Sequence, residues 1–195
     1  MEEHKLRYLG SFLKRNETKC LEDYIDIVKN KEENVRQSYA ESSTLTSNEF
    51  IEMVLVDSAF IIELFLRSYD HKLIENNDRI FNKPRMIVEI AHDLMVEENQ
   101  LPYFILKELY DFACQHYGQS RGKFIDVVCK FFNVHLSGRF ELKIKHFVDL
   151  LRSSYRPSLP RVVSRKGQNI EFCPSIIELE EAGVLIVAKK KKIIS

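Results

Sequence analysis

Two short arrangements of side chains in this 195-residue chain are of types that can carry chemistry. Glu89 and His92 form an E-x-x-H sequence, which di-iron helix bundles use in two copies together with further glutamates. This sequence holds one copy, so the pair is expected to face solvent. Cys114 and His116 could form a thiolate–imidazole pair, but residues two apart on a helix point to different faces. Neither arrangement predicts a catalytic or metal site.

The cysteines lie far apart in the chain and form no C-x-x-C unit for zinc or redox chemistry. Their distribution predicts free, buried thiols in a reducing compartment. The sequence also lacks the G-x-S-x-G, P-loop, G-x-G-x-x-G and H-E-x-x-H motifs. We therefore predict a chain that is not an enzyme and has no cofactor and no metal. The four cysteines are Cys20, Cys114, Cys129 and Cys173.

A polar stretch followed by a proline, residues 97–102, is the most unusual local sequence. It could be an exposed recognition loop, or a tight corner between two helices whose Asn and Gln side chains satisfy helix ends. The pattern favours the corner. A second hypothesis is an enzyme or small-molecule binder, in which His92, Asp93 and Glu97 converge on a pocket between helices.

The charge balance excludes one class of function. Lys and Arg total 29, as do Asp and Glu, and this zero balance argues against nucleic-acid binding. Charge is nevertheless uneven, because residues 40–138 carry a net −6 and residues 139–195 a net +6. No stretch is long and apolar enough to span a membrane. We expect a cytoplasmic chain with an unknown protein partner and an undetermined oligomeric state.

The hydrophobic periodicity predicts an all-α fold of about seven packed helices in one domain, residues 1–195. The strongest helix, residues 49–68, is apolar nearly all round and so is expected at the centre, with Thr46 and Glu49 as its capping box. Residues 70–82 read as a loop with disorder. A short β element is expected at the end, with strands at 170–172 and 184–188. Residues 184–195 then form a strand and a basic tail. The predicted helices are 2–14, 20–39, 49–68, 84–96, 102–118, 123–134, 142–151 and 175–183.

Asp57 lies on the central helix and must be paired, since burying a bare carboxylate is costly. We expect it to be buried and bonded to a basic group such as Arg36 or to a helix end.

Five ordered segments carry a family resemblance. Residues 92–106 resemble the D-L-L-L-L-E-N-Q-[IL]-P-F-F-V-L stretch of the plant domain-of-unknown-function family numbered 247. Residues 36–39, 50–64, 145–150 and 174–184 are similar to its R-x-C-Y, F-x-x-M…D-G-C-F-I-L-E-L, H-L-L-D-L and A-T-E-L-x-E-A-G-V segments. We call residues 98–102 the ENQLP corner. The matched signature residues are Arg36, Tyr39, Asp57, Phe60, Asp93, Glu98, Asn99, Gln100, Pro102, His146, Asp149 and Gly183.

The resemblance implies an uncharacterised plant protein without an established activity or defined catalytic residues. Some family members are linked to pollen–stigma self-incompatibility, which implies recognition or signalling. Family members continue into a β-containing half and a C-terminal membrane helix, so the chain resembles their N-terminal helical part. The resemblance thus implies a non-catalytic protein-interaction domain that is membrane-attached only in a longer form.

Overall fold

The computed structural model describes residues 2–39, 44–96, 100–115, 122–135 and 144–154. All of them fall within one unit, Met1–Ser158. A short 3-10 helix, His71–Leu73, follows the third α-helix. The α-helices of the described residues are α1 (Glu2–Leu13), α2 (Leu21–Arg36), α3 (Ser47–Tyr69), α4 (Pro84–Asp93), α5 (Tyr103–Ala113), α6 (Phe124–Phe131) and α7 (Phe147–Ser154).

The prediction of a helical fold that ends in a short β element is corrected. The described residues form helices and turns and contain no β-strand. The segments expected to pair, 170–172 and 184–188, lie outside the described residues, as do the helix 175–183 and the basic run 189–192. The fold supported for the described residues is therefore helical. A single domain over residues 1–195 stays a prediction.

Helix α3 is the centre of the fold. Fourteen of its 23 residues are buried, because apolar side chains occupy nearly all of its faces. Helices α1, α2, α5 and α6 pack against it. Its start is fixed by the predicted capping box, in which Thr46 Oγ1 accepts from the Glu49 amide and the Glu49 carboxylate accepts from the Thr46 amide. The prediction of a central helix that begins at this cap is confirmed.

An aromatic cluster joins the second half of α3 to the later helices. The Phe65 ring lies 4.7 Å from the Phe131 ring and 5.3 Å from the Phe147 ring, measured between centroids. Phe124 packs against Phe65 on one side and against Tyr103 on the other. Tilted and edge-on aromatic pairs of this kind add specific geometry to apolar burial. The cluster therefore fixes α6 and α7, and with them the start of α5.

A buried network of charges crosses α1, α3 and the segment after α3. The Glu63 carboxylate, fully buried, accepts hydrogen bonds from Arg15 and from Arg67. Arg67 Nη1 in turn lies 2.9 Å from Asp78 Oδ2, and the Tyr8 hydroxyl donates to the same oxygen at 2.7 Å. Buried charges persist only when they are paired in this way. The network therefore ties three chain segments together at one point.

The segment after α3, predicted as a loop, consists of a 3-10 helix and turns that side-chain contacts hold in place. Asp78 Oδ1 accepts from the amides of Ile80 and Phe81, and the Ile80 side chain is fully buried. This carboxylate thus organises its own turn and binds Arg67 at the same time. The loop prediction is therefore confirmed, and the loop is held by Arg67 on α3, eleven residues before Asp78.

The charge network gives a test of what holds the fold. Replacing Glu63 by alanine removes the only described carboxylate bound to both Arg15 and Arg67. We expect Glu63→Ala to lower the free energy of unfolding by about 3–5 kcal/mol, the usual cost of breaking a buried ion pair. Denaturant unfolding followed by circular dichroism measures it.

The matched control is Glu52→Ala on the same helix, where the side chain is exposed. We expect its effect to stay within about 0.5 kcal/mol. Equal stability of the two variants would contradict a structural role for the network.

Candidate functional site

The described signature residues fall into two groups, of which the first lies where α1 and α2 meet α3. The Arg36 guanidinium lies 3.9 Å from the centroid of the Phe50 ring, and Tyr39 packs edge-on against the same ring. Phe60 is buried and stacks on Tyr8 with centroids 5.4 Å apart. These contacts join helices to one another. They give this part of the signature a packing role.

Asp57 belongs to the same group and is paired with a basic group, as predicted, but that group is Lys5 and not Arg36, and the residue is half-buried and not buried. Its carboxylate pairs with Lys5 Nζ on α1 at 2.6 Å and keeps 31% of its side-chain surface exposed. Arg36 instead pairs with Glu32 one turn earlier on α2. Burial lowers the pKa of Lys5, but the hydrogen bond and charge of Asp57 outweigh it and leave that pKa above its usual value. The pair is a partly exposed clamp between α1 and α3.

The second group surrounds the ENQLP corner. Residues 100–102 bury their side chains directly before α5, and Pro102 occupies the N-cap position, where it offers no side-chain acceptor. The Tyr103 amide donates to the Lys145 carbonyl at 2.7 Å. This backbone bond joins the corner to the segment that carries the next signature residues, His146 and Asp149. Glu97, Glu98, Asn99 and Gly183 lie outside the described residues.

The signature residues before α7 form a local turn. The Asp149 carboxylate accepts from the Lys145 amide at 3.1 Å, and His146 Nε2 lies 3.6 Å from the same oxygen. His146 Nδ1 is buried and has no hydrogen-bond partner among the described residues. The carboxylate thus holds the start of α7 beside the corner.

Gln100 is the most unusual side chain of the corner. The residue is 6% exposed, and neither its amide nitrogen nor its amide oxygen has a hydrogen-bond partner in the described part of the chain. The sequence predicted that the Asn and Gln side chains of the corner would form hydrogen bonds with the ends of the helices. For Gln100 this prediction is wrong among the described residues. A buried amide without partners costs folding free energy.

Large apolar side chains are exposed on both sides of the corner. Val88, Met95 and Val96 on α4 and the turn after it are 54%, 37% and 43% exposed, and Phe104 on α5 is 36% exposed. Val88 lies on α4, whereas Met95 and Val96 follow its C-cap residue, Leu94. Of the seven large exposed hydrophobic residues in the described ranges, these four lie within residues 88–104. The residues that flank the corner in the sequence therefore carry most of the exposed large apolar side chains of the described ranges.

The described residues of the alternative pocket hypothesis, His92 and Asp93, lie on the surface. His92 and Asp93 are exposed at the end of α4, and Glu89 is exposed and paired with Arg85. A groove of about 490 Å³ lies between α2 and α5, with Phe104 among its lining residues. Neither His92 nor Asp93 lines that groove.

The cysteines and possible metal ligands are the remaining candidates for chemistry. Cys20 is exposed while Cys114 and Cys129 are half-buried, so the prediction of buried thiols is wrong for Cys20. None of these three described cysteines forms a disulfide bond; burial raises the pKa of Cys129, and Cys173 lies outside the described residues. Within the described ranges, no group of His, Cys, Asp and Glu could hold a metal. None of the described helices is long and apolar enough to cross a bilayer.

The partly exposed clamp predicts a small stability effect. We expect Asp57→Ala to lower the free energy of unfolding by about 1 kcal/mol or less, the range of surface ion pairs. Thermal and denaturant unfolding measure it, with Lys5→Ala as the matched variant of the other partner. A loss of about 3 kcal/mol or more would instead place Asp57 among the buried pairs.

The unpartnered amide predicts a gain in stability. Gln100→Met keeps the size of the side chain and removes two buried polar groups without partners. We expect the free energy of unfolding to rise by about 1–3 kcal/mol, the cost of leaving such groups unpaired. Gln115→Met, at an exposed position, is the control and should change little. A destabilised Gln100→Met variant would mean that the amide has a partner.

Comparisons with known proteins agree with the signature. The sequence model of DUF247, described as plant protein of unknown function, matches residues 1–195. UPF0481 protein At3g47200 of Arabidopsis thaliana is 30% identical over 171 residues, which cover 81% of this chain and 34% of that protein. Putative UPF0481 protein At3g02645 of the same plant is 26% identical over 116 residues, 59% of this chain and 21% of that protein. No solved structure matches.

The chain thus spans about a third of the length of the first relative and about a fifth of the second. The match to the family extends over all 195 residues. The chain belongs to the plant family of unknown function DUF247.

Proposed function

We propose that this chain is a non-catalytic protein-interaction domain that binds its partner through the apolar surface around the ENQLP corner. The observation that carries the proposal is that exposed large apolar side chains flank the corner in the sequence: Val88, Met95, Val96 and Phe104. Exposed apolar patches of this kind are typical of protein–protein interfaces. Aromatic and Met side chains are also enriched there.

The anchoring of the corner supports the same proposal. Leu101 and Pro102 are buried, and the Tyr103 amide is bound to the Lys145 carbonyl. The backbone of residues 101–103 is therefore held by the core while neighbouring side chains face solvent. A surface on a rigid scaffold binds with a smaller loss of conformational entropy than a flexible one.

The surface chemistry favours binding over catalysis. His92 and Asp93 are exposed and lie outside the described groove, so they lack the concave, dry setting in which an imidazole and a carboxylate become catalytic. The resemblance to a family linked to self-incompatibility supports a role in recognition. We propose a cytoplasmic location for this domain, with membrane attachment in a longer form.

The proposal predicts that charges on the apolar surface abolish partner binding. The immobilised chain is exposed to plant extract, and retained proteins are quantified by mass spectrometry for wild type and for Val88→Asp/Val96→Asp. We expect a specific protein to be retained by wild type and lost about tenfold or more in the double variant, since a carboxylate in an apolar contact must be desolvated.

Leu6→Asp is the matched control, because Leu6 is 60% exposed on α1. It should retain the same protein as wild type, and all variants should melt at the same temperature. The proposal fails if Val88→Asp/Val96→Asp retains the same protein as wild type, or if Leu6→Asp loses that protein to the same extent as the double variant.

A further inference from the structure

We infer that the outer side of α4 binds a second copy of this chain, with the two α4 helices antiparallel about a twofold axis. The inference rests on the proposed function, whose apolar surface includes this side of α4. It is carried by the order of charges along the helix. Arg85, Glu89 and Asp93 follow one another at spacings of four, so they form one row, and all three are exposed.

The row of charges runs against the dipole of its own helix. Helix N-termini favour acidic side chains and C-termini favour basic ones. At the start of α4 the charged residues are the basic Lys83 and Arg85, its first turn has no acidic residue, and Asp93 is its last residue. His92 is the single basic residue of the last turn. This order weakens an isolated helix, so its advantage must lie in a contact outside it.

An antiparallel second copy supplies that contact. Arg85 and Asp93 lie about 12 Å apart along the axis, at 1.5 Å per residue. When two copies pack antiparallel, Arg85 of each faces Asp93 of the other, and the twofold axis makes both contacts equal. Asp93 has no ion-pair partner among the described residues. Glu89 lies near the axis and pairs with Arg85 of its own helix at 2.8 Å, so in the dimer Arg85 would contact both this Glu89 and Asp93 of the other copy. Parallel packing would oppose like charges instead.

The apolar side chains fit the same arrangement. Val88 is near the middle of α4 and is the most exposed large apolar residue of its surface, at 54%. It would lie close to the axis and meet its own copy, while Met95 and Val96 meet the start of the other helix. Charged pairs at both ends with an apolar centre are the usual anatomy of a small interface. A partner of another sequence would have no need of this internal symmetry.

Sedimentation equilibrium of the purified chain tests the inference directly. We expect wild type to shift from monomer to dimer between about 1 and about 100 µM, the affinity range of a small interface. Arg85→Glu and Asp93→Lys should each weaken the dimer about tenfold, because each opposes like charges twice. Both changes favour the helix dipole, so loss of helix cannot explain the result.

Restoration of charge pairing is the decisive measurement. The double variant Arg85→Glu/Asp93→Lys should dimerise as wild type does, and an equimolar mixture of the two single variants should dimerise better than either alone. Val88→Asp should abolish the dimer, whereas Leu6→Asp should keep it.

A chain that stays monomeric at every concentration, or a double variant as weak as the single ones, overturns the inference. Loss of a captured partner in Val88→Asp/Val96→Asp from a monomeric chain would overturn the second copy alone and leave the proposed function standing. A chain that dimerises but captures no plant protein would overturn the proposed function and leave the second copy standing.

Discussion

The fold depends on two opposite charges one turn apart inside its central helix. Glu63 and Arg67 cannot satisfy each other fully, because each also needs a partner from outside α3. Helix α1 and the turn after it bring Arg15 to Glu63, and the segment after α3 brings Asp78 to Arg67. An apolar surface would allow α1 several positions along α3. A buried charge allows only the position in which it meets its partner. The network therefore specifies the arrangement of the helices more than it adds stability.

The same stretch of α3 also uses aromatic rings for this purpose, because Phe65 lies between Glu63 and Arg67 in the sequence. Phe65 contacts rings from α6 and α7, and Phe124 extends the cluster to Tyr103 at the start of α5. The Tyr103 amide then binds the Lys145 carbonyl, so ring packing and a backbone bond fix the corner from two directions. The position of the proposed interface is thus a consequence of core packing. The side chains of this interface that face solvent do not contribute to that core packing.

The sequence predicted the features that depend on neighbours in the chain and missed those that depend on distant partners. The central helix and the Thr46–Glu49 cap follow from periodicity and from a pattern three residues long. The order of the segment around Asp78 depends on Arg67, and the partner of Asp57 proved to be Lys5, 52 residues earlier. Short sequence patterns do not show which residues pair across the chain. The expected strands likewise came from short apolar runs, which do not distinguish a strand from other buried segments.

Helix α4 gives few fully buried side chains to the core. Ile90 and Leu94 are the buried large apolar residues of α4 and its cap, and Met86 and Ile87 are partly buried against the core, whereas α3 buries residues on all its faces. Substitution of the exposed α4 side chains therefore costs little folding free energy. A recognition surface must be able to change while its scaffold stays constant. In this chain that condition holds for α4, because the charge network and the aromatic cluster hold the scaffold elsewhere.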